Sequence, residues 1–147
     1  MSSGATELGE LLVAAYRAFT QQGRARFGEH GLSPAKVRLL TTLHHRQDSR
    51  MRDLADVLGV SGRAVTPLVD ALESDGLITR KPDPGDRRAF RLALTDAGLG
   101  TIDQIARLQQ QVSEDIFRGM PAEDQRELAR LLRAFLGTTH GPGCPPA

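Results

Sequence analysis

The chain predicts a mainly α (α+β) fold of six helices, with one two-stranded β-hairpin between the fourth and fifth, and three observations carry that reading. Apolar residues recur at three- and four-residue spacing along most of the sequence. The period switches to two only over residues 77–81 and 89–95. Caps and breakers (Ser33-Pro34, Gly59, Ser61, Gly76, Thr95, Gly119) fall between the periodic runs, where helix ends need them.

Leu8, Leu11, Leu12, Ala15 and Phe19 make one face of an amphipathic helix over about residues 7–27, closed by His30 and Gly31. Ser33 caps the next helix, and Pro34 takes its first position, where a missing N–H removes no bond. Val37, Leu40 and Leu43 line it as far as His45, and residues 46–50 read as a polar loop. A short third helix turns Leu54, Ala55 and Leu58 inward and stops at Gly59. Ser61 caps the fourth, with Val60 placed to pack on Val65 as a hydrophobic staple. Its buried stripe is Val65, Leu68, Val69 and Leu72, and Gly76 ends it.

The two strand-like runs flank Pro82-Asp83-Pro84-Gly85-Asp86-Arg87-Arg88, whose central Pro-Gly favours a reversal, so they form a hairpin with a basic, projecting tip. Thr95 caps a long fifth helix with the stripe Leu99, Ile102, Ala106, Val112 and Ile116. After Gly119 and Pro121, Glu123 and Asp124 stand where a helix N-terminus favours negative charge. Leu128, Leu131, Leu132 and Phe135 give the sixth helix its stripe, and residues 138–147 are expected to form a disordered tail.

Several classes of function fall away on composition. The 147 residues suffice for one domain with one core. No apolar run approaches the roughly 20 residues of a membrane span. The start, MSSGATELGE, has neither the basic flank nor the apolar stretch of a signal peptide, so a cytoplasmic location is expected. Cys144 stands alone in the tail and reads as a thiol without a role. His44 and His45 are adjacent on a helix and point in different directions rather than at one ion, and with His30 and His140 they read as helix-end polar residues. There is no glycine-rich phosphate loop and no Ser/His/Asp or Cys/His set. No metal, cofactor or catalysis is expected.

Net charge is only +1, but it is unevenly spread: residues 76–92 hold five basic residues (Arg80, Lys81, Arg87, Arg88, Arg91) against two acidic ones (Asp83, Asp86). Just before them, residues 53–76 read as a helix-turn-helix, a motif whose second helix enters a major groove N-terminal end first. Ser61, Gly62, Arg63 and Thr66 lie there, off the buried stripe. Arg63 suits a bidentate contact to guanine or a phosphate, Thr66 a phosphate or a thymine methyl, and Gly62 leaves room for close backbone approach. Two helices joined at a glycine are common in proteins that bind no DNA. The basic hairpin at residues 77–95 makes the combination far more specific, because an arginine-tipped ribbon fits the neighbouring minor groove. The fold expected is a winged helix-turn-helix with double-stranded DNA as its partner; the alternative is a winged-helix module that binds an acidic protein.

The stretch LVDALESDGLITRKPDPGDRRAFRLALTDAG, residues 68–98, resembles the most recognisable block of the MarR family, with its marks LE-x-x-GLI-x-R, DP-x-DRR and LT-x-x-G. The likeness extends over residues 7–137. It implies a ligand-responsive repressor that binds a pseudo-palindromic operator as a homodimer built from the first, fifth and sixth helices. It also implies a small effector, aromatic or phenolic, in a cleft near the helix junction; Tyr16, Arg17, His44 and His45 are the candidates to line it. By position, Arg63 and Thr66 would face DNA from the recognition helix. Arg88, beside Arg87, would reach the minor groove, with Asp86 either holding it or simply forming the turn. Pro67 departs from the family pattern, in which many members carry arginine, and it is expected to bend or loosen the first turn of the recognition helix. The run SG-x-x-x-TPL resembles the branch that senses organic hydroperoxides through a first-helix cysteine; this first helix has none, so thiol sensing of that kind is not expected.

Overall fold

The computed structural model describes residues 4–139. Its elements in chain order are α1 (Gly4–Gly28), α2 (Pro34–His45), β1 (Ser49–Arg50), α3 (Met51–Leu58), α4 (Gly62–Ser74), β2 (Ile78–Pro82), β3 (Phe90–Leu94), α5 (Asp96–Phe117) and α6 (Ala122–Thr139). The six helices fall where their apolar periods predict them. The sheet differs: it has three antiparallel strands in the order β1-β3-β2. Residues 49 and 50, expected in a loop, pair with β3 through Ser49↔Leu92 and Arg50↔Arg91. A two-residue strand is too short to display a period, so it is found only through its partner.

Local chemistry sets the helix ends. Ser33 Oγ accepts from the Lys36 amide at 3.3 Å, Ser61 Oγ from the Ala64 amide at 3.2 Å, and Thr95 Oγ1 from the Gly98 amide at 3.0 Å. Each cap satisfies a donor that the first helical turn leaves without a partner. Gly59 has φ +66°, a left-handed conformation that side chains disfavour, and there the chain turns sharply from α3 into α4.

The chain divides into two compact units, Met1–Val112 and Ser113–Ala147. In the first, Leu39, Leu40 and Leu43 of α2, Leu54 and Leu58 of α3, and Val65, Val69 and Leu72 of α4 pack around Ile78 and Leu92 of the sheet. Burying each such side chain contributes about 1.5–3 kcal/mol. α5 adds Ile105 and Leu108 to this core, with Val112 also buried. That corrects the expected stripe: Leu99 and Ala106 are exposed, and Ile102 is only half-buried. The helix carries two overlapping apolar faces, and the one that includes Ile105 and Leu108 meets the core. α1 buries none of its residues; Leu8 and Leu11 are 65% and 60% exposed.

In the second unit, Gln125 Nε2 donates to the carbonyls of Phe117 and Met120 and closes the turn between α5 and α6. Leu131, Leu132 and Phe135 of α6 are exposed. α6 continues through Thr139, past the expected start of the tail. His140 and Cys144 lie outside the described residues. Among the described residues, no helix is long and apolar enough to cross a membrane.

Candidate nucleic-acid interface

α3, the turn at Gly59 and α4 form the expected helix-turn-helix. Val60 N donates to Ala55 O at 3.1 Å, and the buried stripes of the two helices lock their relative tilt. Ser61, Gly62, Arg63 and Thr66 are all exposed at the start of α4. The Ser61 oxygen is occupied as a cap acceptor, which leaves its O–H to donate outward. The Thr66 hydroxyl donates to Gly62 O at 2.9 Å, so its proton is already used, and its methyl and the acceptor side of its oxygen are what remain for a base. Arg63 has no ion pair among the described residues. α4 runs unbroken from Gly62 to Ser74 through Pro67. The missing amide removes the bond that the carbonyl of Arg63, in the first turn of the helix, would otherwise accept.

The hairpin between β2 and β3 keeps a regular register, Ile78↔Leu94 through Pro82↔Phe90. Its tip is organised by two aspartates acting on the backbone. Asp86 Oδ1 accepts from the Arg88 amide at 2.9 Å, and Asp83 Oδ1 from the Gly85 amide at 2.8 Å. Of the two roles open to Asp86, the geometry is that of a turn-former: it fixes the main chain of Arg88, and no ion pair joins the two side chains among the described residues. Arg87 and Arg88 are exposed at the tip.

Below the tip lies a group that local pattern does not reveal. Asp83, whose side chain is fully buried, accepts at Oδ2 from Arg50 Nε (2.7 Å) and Arg91 Nε (2.9 Å). The Gly85 amide, then the Arg91 and Arg50 guanidiniums, hold its carboxyl down at about 2, against the opposing effect of burial. Arg80 of β2 is bound by Asp70 of α4, with Glu73 Oε1 3.6 Å from its Nε. In the sequence these residues count only toward local charge. An Asp-Pro-Gly triplet reads as a turn, and of the two arginines that hold its carboxylate one is 8 and the other 33 residues away.

A cleft of about 330 Å³ opens among α1, α2 and α5, lined by Tyr16, Phe19, Phe27, Val37 and two cations, Arg24 and Arg38. Of the four effector candidates the structure brings only Tyr16 to it. Arg17 lies elsewhere on α1, beside Glu10 and Val13. His44 and His45 end α2 with their rings 5.6 Å apart and do not line the cleft. Arg24 and Arg38 had no sequence signal beyond their charge.

A capped helix-turn-helix followed by an arginine-tipped β-ribbon defines the winged-helix class of nucleic-acid-binding protein, and known proteins agree. Residues 32–90 match the model of the MarR family. The HTH-type transcriptional regulator MhqR of Bacillus subtilis is 30% identical over 105 residues, covering 71% of this chain and 72% of MhqR. The HTH-type transcriptional repressor NicR of Pseudomonas putida is 25% identical over 137 residues, covering 93% of this chain and 87% of NicR. The crystal structure of the transcriptional regulator Tm0710 from Thermotoga maritima superposes with a TM-score of 0.72 at 29% identity, covering 90% of this chain and 93% of Tm0710. The chain belongs to the MarR family of DNA-binding transcriptional regulators. Its relatives and its fold are those of regulators, not enzymes.

Proposed function

We propose that the protein is a ligand-responsive repressor that binds a pseudo-palindromic operator as a homodimer. One observation carries the reading. Along the motif and wing, Arg50, Arg80 and Arg91 hold carboxylates, whereas Arg63, Arg87 and Arg88 hold none among the described residues. Arg52 and Lys81 are likewise unpaired among the described residues, but Arg63 stands at the start of α4 and Arg87 and Arg88 at the tip of the ribbon, the two places that suit a major and a minor groove. Ser61, Gly62, Arg63 and Thr66 then meet base edges or phosphate, while Arg87 and Arg88 enter the minor groove on a tip shaped by Asp86.

Dimerisation follows from what the single chain leaves exposed. A 25-residue helix with no buried residue and exposed Leu8 and Leu11 gains too little from its own chain to be held firmly. Leu131 and Leu132 of α6 are exposed likewise. A second copy covering these apolar faces also supplies the second half-site reader that selective binding requires. NicR, a relative named as a repressor, supports the direction of regulation. The cleft beside Tyr16, apolar with Arg24 and Arg38 at hand, suits a small aromatic or phenolic acid.

The test is selection of duplexes from a random pool by the purified protein, followed by affinities for the selected and a scrambled sequence at several salt concentrations. The reading expects a two-fold-related consensus and affinity that falls steeply with salt. Salt-independent binding, or none to any duplex, would overturn it.

A further inference from the structure

The outer face of the small sheet carries a row of cations that the groove contacts leave unused. Arg50 of β1 is the cross-strand partner of Arg91 of β3, and Arg91 is in turn the partner of Lys81 of β2. Directly opposed residues share a face, so three positive side chains stand side by side. Leu92, one residue on from Arg91, is completely buried, which puts the row on the side away from the core.

Among the described residues, one carboxylate answers the row. Both arginine Nε atoms donate to the same oxygen of Asp83, at 2.7 and 2.9 Å. Like charges placed directly opposite each other destabilise a sheet. One arginine would satisfy one buried carboxylate, and the second leaves the cluster with excess positive charge. The Asp83 side chain is 0% exposed, while those of Arg50 and Arg91 are 43% and 40% exposed. Each guanidinium is therefore anchored at Nε from within and retains its Nη donors toward solvent, a fork geometry that matches phosphate.

We infer that Arg50 and Arg91, flanked by Lys81, clamp a phosphate of the DNA backbone outside both grooves. This rests on the DNA-binding reading above. The placement fits it: Arg50 immediately precedes α3, and the first helix of a helix-turn-helix crosses the backbone of the duplex. The contact carries no base information, so it should strengthen binding to every sequence alike.

Arg50→Ala, Arg50→Gln and Arg91→Gln test the clamp, with Arg88→Ala as the reference, each measured on selected and scrambled duplexes across salt. Glutamine keeps an N–H for Asp83 while removing the charge, and thermal midpoints verify that the variants are folded. Each clamp variant is expected to lose about fivefold in affinity at physiological salt, equally on both duplexes, and about 0.9 in the slope of log affinity against log salt per bound subunit. Unchanged slopes and affinities in folded clamp variants, with Arg88→Ala impaired, would overturn the clamp and leave the DNA-binding reading standing. A wild-type protein that binds no duplex in a salt-dependent way would overturn both.

Discussion

Arg80, on the first long strand of the wing, is ion-paired with Asp70, on the recognition helix ten residues before it. The pair ties together the two elements proposed to enter neighbouring grooves. With side chains 24% and 58% exposed, it is screened by solvent and is worth about 0–1 kcal/mol to the fold. Its larger effect should be on orientation. Asp70→Ala is expected to shift the urea midpoint little, yet to narrow the ratio of affinities between selected and scrambled duplexes. Loss of a negative charge near DNA raises both affinities, so only the ratio reports on geometry. An unchanged ratio would mean that the helix and the wing are oriented without the pair.

Gly98→Ala sets two effects against each other. Within a helix, alanine is favoured over glycine by about 1 kcal/mol. A Cβ at Gly98, however, would lie 2.1 Å from the Leu77 carbonyl oxygen, which also accepts from the Thr95 amide at 3.0 Å. Backbone cannot step aside as a side-chain tip can, so the clash should win. A net destabilisation of about 1–3 kcal/mol in urea unfolding is expected, and a stabilised variant would refute the close approach.

Asp83 gives the stability a specific acid dependence. Its carboxyl titrates near 3.8 when unperturbed and about 2 in the fold, so in that window the unfolded chain binds more protons. Its contribution is fully present above the unfolded value and is lost as pH falls through the folded one. Urea midpoints of the wild type should therefore decline between about pH 4 and pH 2 more steeply than those of Asp83→Asn. Parallel profiles would remove Asp83 from the acid response.

Caps and stops were legible in the sequence because both partners lie within four residues: Ser33 with Lys36, Ser61 with Ala64, Thr95 with Gly98. What depended on distant residues was not. β1 exists only because β3 arrives more than 40 residues later, opposite Ser49 and Arg50. α5 offers two overlapping apolar faces, and periodicity alone does not say which one the core takes. Tyr16 belongs to the cleft, but the cations beside it, Arg24 and Arg38, come from different helices and share no motif.

Self-association is open to a direct check. Light scattering at micromolar concentration should give about twice the 15.9 kDa chain mass. Leu11→Glu places a charge where α1 now exposes leucine, and it should lower the mass toward one chain without unfolding the core, which α1 barely enters. A monomeric wild type would refute the dimer.

Arg63 and Arg88 should divide the labour of recognition. If Arg63 meets a base edge, Arg63→Ala costs about 1–3 kcal/mol on the selected duplex and relaxes preference at one position. Arg88→Ala should weaken selected and scrambled duplexes evenly and lower the salt slope by about 1 per half-site. Equal losses on both duplexes for Arg63→Ala would make it a phosphate contact; no effect of Arg88→Ala would take the wing off the DNA.

The regular rungs of the wing, from Ile78↔Leu94 to Pro82↔Phe90, make its tolerance of insertions a question of parity. One residue added between positions 90 and 94 would carry Arg91 to the core side and push Leu92 into water, because strand faces alternate singly. The same residue added within 84–88 leaves every rung in place and alters only how far the tip extends. Reach is adjustable while the mount is not, and duplexes of different groove width could be met by lengthening or trimming the tip alone.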